Sequence, residues 1–445
     1  MPRKKIIQDL GNGLILRPAT AADVEELAAF NARIHSDDGP EEPDEKIGAW
    51  VRDLMTAPHP TTGIDDFTIV EDTACGKIVS SMNFIPQTWS YAGVEFGVGR
   101  PELVGTDSEY RNRGLVRAQF DVIHQWSAER GHKVQAITGI PYYYRQFGYE
   151  MGLALDGGRV GYIPHIPKLK EDEEERYTIR EALDKDIPFI SALYSENAKR
   201  YLVSGVIDEG LWHYELMGKS DNNITRLEVR IVETPDGEAI GFLAHPTFLW
   251  GPTLSLLMYE LQPGISWLDV TPSVLRYLKV EGEAYAAQKD DGEFQAFAMW
   301  MGTEHPVYEA ISDRLPRRRD PYAYYVRVAD LPDFIRHISP ILEQRLEKSA
   351  LVGHSGELKL NFFRSGLKIT FDKGHLKNVE AYIPENSHDG DVLFPDLTFL
   401  RVLFGYNDFW DVEKMFADCY ARNDHGRALV PILFPKKASS VKGIA

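Results

Sequence analysis

The segment that most constrains the fold is residues 102–149, in which an apolar strand, a basic turn and an amphipathic helix follow one another. The strand covers 103–106, and the turn at 111–114 has the sequence Arg-Asn-Arg-Gly. Apolar residues at helical spacing come next, Gly131 is suited to end the helix, and a second strand follows at 134–138. A strand, a helix and another strand in this order predict a parallel crossover within a sheet.

The basic turn at the start of this helix predicts an anion site. The first N–H groups of a helix lack intrahelical partners, and the helix dipole favours negative charge there. Gly114 lets the backbone approach a ligand closely, while Arg111 and Arg113 can form forked hydrogen bonds with phosphate oxygens. A pyrophosphate fits such a site. A solvated basic helix start is the plain alternative for the same pattern.

The chain before this segment predicts mixed α/β structure. A strand at 14–18 leads into a capped helix, a second helix covers 44–55, and strands at 67–71 and 77–86 form a hairpin-like pair. The predicted fold class is therefore α/β (α+β), with antiparallel strands first and a parallel crossover later.

The middle of the chain repeats the beginning. Residues 177–187 have the form of residues 14–24, namely a strand that ends in Arg followed by an Asp-capped apolar helix. The charge run at 168–176 predicts a linker between the two copies. The second copy has no Arg-x-x-Gly where its helix at 272–287 begins, so we expect it to be degenerate, with a structural or substrate-shaping role.

Three domains are predicted: 1–168, 176–331 and 332–445. The strand at 322–328 is expected to close the second domain. In the third, a helix at 332–348 precedes period-two strands at 358–379 and two further helices, which predicts a separate α+β domain.

Composition excludes several classes of function. The formal net charge of −18 argues against non-specific nucleic-acid binding, which requires a basic surface. It is compatible with a cationic substrate, although an acidic surface that only maintains solubility is the favoured explanation. No apolar run approaches 18 residues and no signal peptide is evident, so neither a membrane span nor secretion is expected. Cys75 and Cys419 match no metal spacing and are expected to be free thiols in a reducing cytoplasm.

Two motifs resemble those of the GNAT acetyltransferase superfamily. The segment 111–116 is similar to the acetyl-CoA motif Arg/Gln-x-x-Gly-x-Gly/Ala, with Val116 in place of the third small residue, and 144–149 is similar to the Tyr-x-x-x-Gly-Tyr ending of that fold. The layout of the whole chain resembles the Eis (enhanced intracellular survival) family. That family combines two tandem GNAT-like mixed-sheet domains, the second degenerate, with a C-terminal sterol-carrier-like domain.

The resemblance implies acetyl-CoA as cosubstrate, no metal, and a role for individual residues. Tyr144 would be the general acid that protonates the CoA thiolate, and the carboxylate of Ala445 at the chain end would be the base, with Glu102 as the competing base. The backbone of Val104 and Thr106 would pair with the pantetheine arm. The pyrophosphate would be held by Arg111, Asn112, Arg113, Gly114 and Leu115.

The function implied is direct acetyl transfer to a primary amine of a cationic small molecule, of the aminoglycoside, polyamine or lysine type, by a homo-oligomer (trimer or hexamer). The alternative is a protein that binds a lipid or another apolar ligand in its C-terminal domain, where Phe362, Phe363, Phe371 and Trp410 could line a cavity. Ordinary core packing also explains these aromatic residues. The sequence leaves the acceptor and the choice of base open.

Overall fold

Strands and helices alternate along the chain as the mixed α/β pattern predicts. The computed structural model describes residues 6–289 and 291–441. The strands, in chain order, are β1 (Gln8–Gly11), β2 (Leu14–Pro18), β3 (Phe67–Asp72), β4 (Lys77–Tyr91), β5 (Val94–Thr106), β6 (Val134–Ile137), β7 (Glu150–Leu155), β8 (Gly158–Tyr162), β9 (Thr178–Glu181), β10 (Val203–Gly205), β11 (Leu227–Glu233), β12 (Ala239–Pro246), β13 (Thr253–Leu256), β14 (Met258–Leu261), β15 (Ala296–Met299), β16 (Arg317–Arg319), β17 (Tyr322–Val328), β18 (Gly356–Asn361), β19 (Gly366–Asp372), β20 (His375–Tyr382), β21 (Val392–Leu393) and β22 (Tyr420–Ala421).

The helices begin at polar caps in several places. In chain order they are α1 (Val24–Ile34), α2 (Glu45–Thr56), α3 (Leu115–Glu129), α4 (Ile187–Ala198), α5 (Glu209–His213), α6 (Trp267–Ala286), α7 (Val307–Ala310), α8 (Leu331–His337), α9 (Ser339–Glu347), α10 (Phe399–Leu403), α11 (Phe409–Met415) and α12 (Asp424–Leu433). The Asp44 side chain, for example, accepts a hydrogen bond from the N–H of Lys46 and fixes the start of α2. The helix predicted after the basic turn is confirmed as α3, and Gly131 follows its end with a φ of +73°.

A nine-stranded sheet carries the segment that the sequence singles out. Its order is β1-β2-β3-β4-β5-β6-β17-β7, and β10 pairs with the far end of β4. The expected hairpin of β3 and β4 is confirmed, as is the parallel crossover from β5 through α3 to β6. Helices α1 and α2 cover one face of this sheet at β4 and β5, and α3 packs on the opposite face.

One predicted strand lies in the wrong place. The sequence pattern put 322–328 at the end of the second domain, but β17 lies between β6 and β7 of the first sheet and is antiparallel to both. Strand β8 is exchanged in the opposite direction. It lies within the predicted first domain but pairs with β15 and β16 of the predicted second domain. Local periodicity identifies a strand but carries no information about such distant partners. The three-domain division stays a proposal, with strands shared across its first boundary.

The internal repeat extends to individual hydrogen bonds. In the first copy Arg17 donates to both carboxylate oxygens of Asp23, at 2.7 and 2.8 Å. In the second copy Arg180 does the same to Asp186, at 2.6 and 2.9 Å. A glutamate on the neighbouring strand, Glu71 or Glu233, accepts the remaining Nε hydrogen bond of each arginine. The repeated Arg and Asp therefore form the same ion-pair arrangement in both copies.

The C-terminal part forms its own sheet, in the order β20-β19-β18-β21-β22. The predicted antiparallel meander is confirmed as β18, β19 and β20. After α12 the chain returns to the first sheet, where Ser440 lies parallel to Ser204 of β10. Within 6–289 and 291–441, no helix is long and apolar enough to cross a bilayer.

Candidate active site

Strands β5 and β6 separate soon after they meet. Their parallel ladder consists of Val98 opposite Val134 and Gly99 opposite Gln135. Beyond Gly99, β5 stays paired with β4, whereas β6 pairs with β17 on its other side. The residues of β5 that follow Gly99 therefore face a gap, in which their backbone groups can pair with an added ligand.

A bulge in β5 shapes the wall of this gap. The register between β4 and β5 shifts between Ser81 and Asn83, and Leu103 has a φ of +52°. The side chain of Leu103 is thereby buried with α1 and α2, whereas Val104 packs with the cluster on the opposite face. The extra residue turns the end of β5 so that Val104 and Thr106 both line the gap.

The gap opens into a groove of about 670 Å³. The structure brings together here every residue predicted to hold the cosubstrate, and Tyr144 with them. The groove is lined by Ile34, His35, Val104, Gly105, Thr106, Tyr110, Arg111, Asn112, Arg113, Gly114, Leu115, Val116, Arg117, Ile140, Tyr143, Tyr144, Gln146 and Phe147.

The N-terminus of α3 forms one end of the groove. Gly114 is its N-cap, with a φ of +78°, and a Cβ on this residue would meet no atom within 4 Å. The first N–H groups of α3 therefore face open space, as an anion site requires. Both turn arginines are exposed and are anchored through backbone carbonyls: Arg111 donates to Thr106 at 3.4 Å and Arg113 to Glu109 at 2.9 Å.

Tyr144 also lines the groove and lies in the 3₁₀ turn Tyr143–Phe147. Its ring is buried among aromatic rings, with centroids of Tyr143 and Tyr325 at 5.2 and 5.5 Å. Within the described chain its hydroxyl has no hydrogen-bond partner. Burial and then the negative charge of Glu102 raise the pKa of Tyr144, so the phenol stays protonated at neutral pH. A protonated hydroxyl without a partner is free to donate to a ligand.

Strand β17 fixes the loop that carries Tyr144. The Tyr325 hydroxyl accepts a hydrogen bond from the N–H of Tyr142 at 2.5 Å, and the Tyr322 hydroxyl donates to the carbonyl of Gly139 at 2.9 Å. Sequence reasoning missed these supports, because each hydrogen bond joins residues that are 183 positions apart in the chain.

Glu102 lies outside the groove lining and faces the other side of β5. Its Oε2 accepts a hydrogen bond from Arg100 at 2.5 Å, and it stands opposite Asn83 in the ladder. Its charge nonetheless acts on Tyr144 and on His35, which lines the groove. Burial lowers the pKa of His35, although the charge of Glu102 opposes this shift. Ala445, the other predicted base, lies outside the described residues.

Several groove residues were not singled out from the sequence. Arg117 donates to Gln146 at 2.8 Å and thus joins α3 to the turn that carries Tyr144. Gln146 and Phe147 stand within the quoted tyrosine motif, so the motif itself was the available signal. Ile34 and His35 lie at the end of α1, where the pattern shows only a helix terminus.

A Gly139→Ala substitution should lower turnover with little effect on cosubstrate binding. A Cβ on Gly139 would lie 3.2 Å from the Tyr144 hydroxyl, and the φ of +128° disfavours any side chain. Displacing a reacting group by about 1 Å can cost up to about 100-fold in rate. Steady-state kinetics measures the effect. Gly131→Ala is the matched control, because its φ is also positive at +73° but its Cβ meets nothing within 4 Å.

In its described residues, the second copy does not repeat this arrangement. Its parallel pair of β13 and β15 is followed by Tyr308, whose hydroxyl lies 2.8 and 3.1 Å from the carbonyl oxygens of Met299 and Gly302. Helix α6 begins at Ser266 and carries Asp269 in its first turn, so its N-terminus is already neutralised by a carboxylate.

In the comparison with known proteins, the family match falls on the first copy and not on the second. Residues 16–152 match the family model described as an acetyltransferase (GNAT) domain. No curated protein sequence matches the chain. Similar solved structures include a probable N-acyltransferase from Enterococcus faecalis V583, with a TM-score of 0.67 and 13% identity over 97% of this chain and 99% of that one. A GCN5-related N-acetyltransferase from Kribbella flavida has a TM-score of 0.62 and 15% identity over 96% and 97% of the two chains.

Eis1 from Mycobacterium abscessus is also similar, with a TM-score of 0.58 and 11% identity over 97% of this chain and 99% of that one. At such low identities the likeness shows a shared fold. The fold extends over nearly the whole chain, whereas the family match is confined to the part that holds the groove.

Proposed function

We propose that this chain, whose residues 16–152 form a GNAT acetyltransferase domain, transfers an acetyl group from acetyl-CoA to a primary amine of a cationic small molecule. The observation that carries the proposal is the groove between β5, α3 and the Tyr144 turn. It joins backbone groups, a helix N-terminus, two arginines and an unpaired phenol in one space.

The groove residues fit a pyrophosphate joined to an extended arm. The open N–H groups at the start of α3 and the side chains of Arg111 and Arg113 offer donors and positive charge for the phosphates. The unpaired edge of β5 at Val104 and Thr106 offers backbone hydrogen bonds to the amide groups of the arm.

The bound acetyl-CoA would supply an activated thioester. A neutral amine attacks the carbonyl carbon of the thioester, the C–S bond breaks, and the Tyr144 hydroxyl gives its proton to the leaving thiolate. The attacking nitrogen gives up one proton as the amide forms, and this proton restores the phenol. Backbone N–H groups of β5 would stabilise the developing oxyanion. Cys75 is exposed in a turn and Cys419 is buried away from the groove, so no acyl-enzyme step is proposed.

Two bases remain proposed for the amine. Glu102 lies near Tyr144 through the bulged end of β5. The Ala445 carboxylate stays a prediction; the last described residues run beside β10 on the sheet that carries the site. Replacing Glu102 by Gln and, separately, lengthening the chain beyond Ala445 distinguishes them, because only the change to the working base should lower kcat strongly.

Release of free CoA thiol from acetyl-CoA tests the function. With a panel of primary amines of the aminoglycoside, polyamine and lysine types, we expect amine-dependent thiol release above the rate of hydrolysis. A full panel without release, together with no detectable acetyl-CoA binding, would contradict the proposal.

A second candidate function is apolar-ligand binding by the C-terminal part. A separate groove of about 610 Å³ there has both apolar and charged lining residues; the charged ones are Arg336, Arg364, Asp330, Glu380 and Asp396. Of the aromatic residues predicted to line a cavity, Phe362 does so, whereas Phe371 belongs to the core. We propose a fatty carboxylate as the test ligand. Its binding should weaken in Arg364→Glu, and equal binding by the variant would remove this candidate.

We also propose that the chain acts as a homo-oligomer, trimer or hexamer, in the cytoplasm. Light scattering coupled to size-exclusion chromatography measures the assembly, and a monomer at assay concentration would contradict that part.

A further inference from the structure

A buried arginine on β5, the strand whose end lines the groove, has donors that the protein leaves unused. Arg100 of β5 is 8% exposed, and its Nη2 donates to Glu102. Its Nε and Nη1 are buried and have no partner in the described residues. Nε carries one N–H and Nη1 carries two. Unpaired buried donors are costly, above all on a charged group, so an acceptor of opposite charge is expected beside them.

Other unpaired polar atoms surround the same place. The Nδ2 of Asn83, which stands opposite Glu102 in the ladder, is buried without a partner, and so is the Nε2 of His35. Gly105 links His35 to the groove, since a Cβ there would lie 3.4 Å from His35 Nε2. The unpaired donors of Arg100 and Asn83 therefore lie on paired strands, within a few residues of the β5 positions that line the groove.

The second copy packs against this part of the first copy. Asp53 of α2 accepts hydrogen bonds from the backbone and side chain of Ser220, both at 2.9 Å, which hold the segment after α5 against the first copy. That segment brings in Lys219, whose pKa is lowered by burial and further by the charge of Arg100. It also brings Tyr214, whose buried hydroxyl has no partner among the described residues. Lys219 of the second copy thus lies close enough to Arg100 for the two charges to interact.

The chemistry of these atoms selects an acceptor. Guanidinium and amide N–H groups are donors, and a carboxylate accepts several of them at once. Glu102, bonded to the same arginine, supplies the negative charge that an amine favours. We propose that Arg100 binds a carboxylate of the acceptor, so that the amine substrate is an amino acid of the lysine type. This inference rests on the proposed acetyltransferase function. Polyamines and aminoglycosides have no carboxylate to place there.

Three matched acceptors test the inference: lysine, lysine amide and 1,5-diaminopentane, which differ at the carboxylate. With saturating acetyl-CoA, thiol release should show a kcat/KM for lysine at least about tenfold above that for the other two, expressed mainly in KM. In Arg100→Gln the three values should converge, while the KM for acetyl-CoA stays unchanged. Arg52→Gln is the control, because Arg52 is also paired with a glutamate, Glu25, but on the surface.

Each outcome separates the two proposals. Release with all three acceptors at equal efficiency would leave the acetyltransferase standing and overturn the carboxylate site, with ordered water as the partner of Arg100. No release with any amine would overturn both. If circular dichroism shows that Arg100→Gln is unfolded, Arg100→Lys decides. A lysine side chain cannot reproduce the guanidinium donors, so the preference for lysine should fall at least about threefold. An unchanged preference would overturn the inference.

Discussion

Replacing Tyr144 by Phe should lower kcat by about 100- to 10,000-fold, the usual contribution of a positioned general acid. The phenol lines the groove, and its hydroxyl makes no hydrogen bond within the described residues, so its removal takes away only the proton donor. The ring and its contacts with Tyr143 and Tyr325 remain. The KM for acetyl-CoA should therefore change little. Steady-state thiol release measures both parameters.

Tyr142→Phe is the matched control for this result. Tyr142 belongs to the same run of tyrosines but is 77% exposed, and it bonds the rest of the protein through its backbone N–H. Loss of the Tyr142 hydroxyl should leave kcat unchanged. Equal rates for Tyr144→Phe and the wild type would remove Tyr144 as the acid.

The largest effect on stability should come from Asp23→Ala. Asp23 receives two hydrogen bonds from Arg17, whose side chain is 1% exposed, and it also accepts from the N–H and hydroxyl of Thr20 at 2.8 and 2.6 Å. Without Asp23, Glu71 keeps its hydrogen bond from the Nε of Arg17, but the two buried Nη groups lose their carboxylate, and breaking a buried ion pair costs roughly 3–5 kcal/mol. Denaturant unfolding at pH 7 should show this loss as an earlier transition.

The repeat within the chain supplies the control. In Asp186→Ala the partner Arg180 is 28% exposed, so water can replace part of the lost interaction. A smaller loss, of about 1–3 kcal/mol, is expected. Equal losses of unfolding free energy at the two positions would show that burial does not determine the strength of this ion pair.

The same pair predicts a dependence of stability on pH. Burial would raise the pKa of Asp23, but the hydrogen bonds from Arg17 and Thr20 outweigh it and lower the pKa from 3.8 to about 2. A depressed carboxyl pKa adds stability that is fully present above the ordinary value and is lost as the pH falls from about 3.8 to about 2. In Asp23→Ala this part of the acid dependence should be absent.

The sequence was sufficient to locate the groove because its parts are local. A strand, the Arg-x-x-Gly turn, the helix α3 and the tyrosine motif all lie within residues 102–149, and each carries its own sequence pattern. The repeat of Arg17 and Asp23 as Arg180 and Asp186 likewise appears as spacing along the chain.

The remaining features depend on distant contacts. The support of Tyr144 by Tyr322 and Tyr325 follows from the insertion of β17 between β6 and β7, which no local pattern indicates. The bulge at Leu103 could not be predicted from the sequence either, because leucine rarely adopts a positive φ. In the sequence, Arg100 has no feature that distinguishes it from other strand residues. Only the structure shows that it is buried and has unpaired donors.

Calorimetric titration with CoA tests the central claim, that each chain has a single acyl-CoA site in the groove at α3. The expected result is one CoA per chain, with affinity lost by at least about 100-fold when Arg111 and Arg113 are both replaced by Glu. Arg317 and Arg319, which line a groove in the second copy, serve as the control, and their double replacement by Glu should leave binding intact. Two CoA molecules per chain, or binding that survives the first pair of substitutions and fails with the second, would contradict the account.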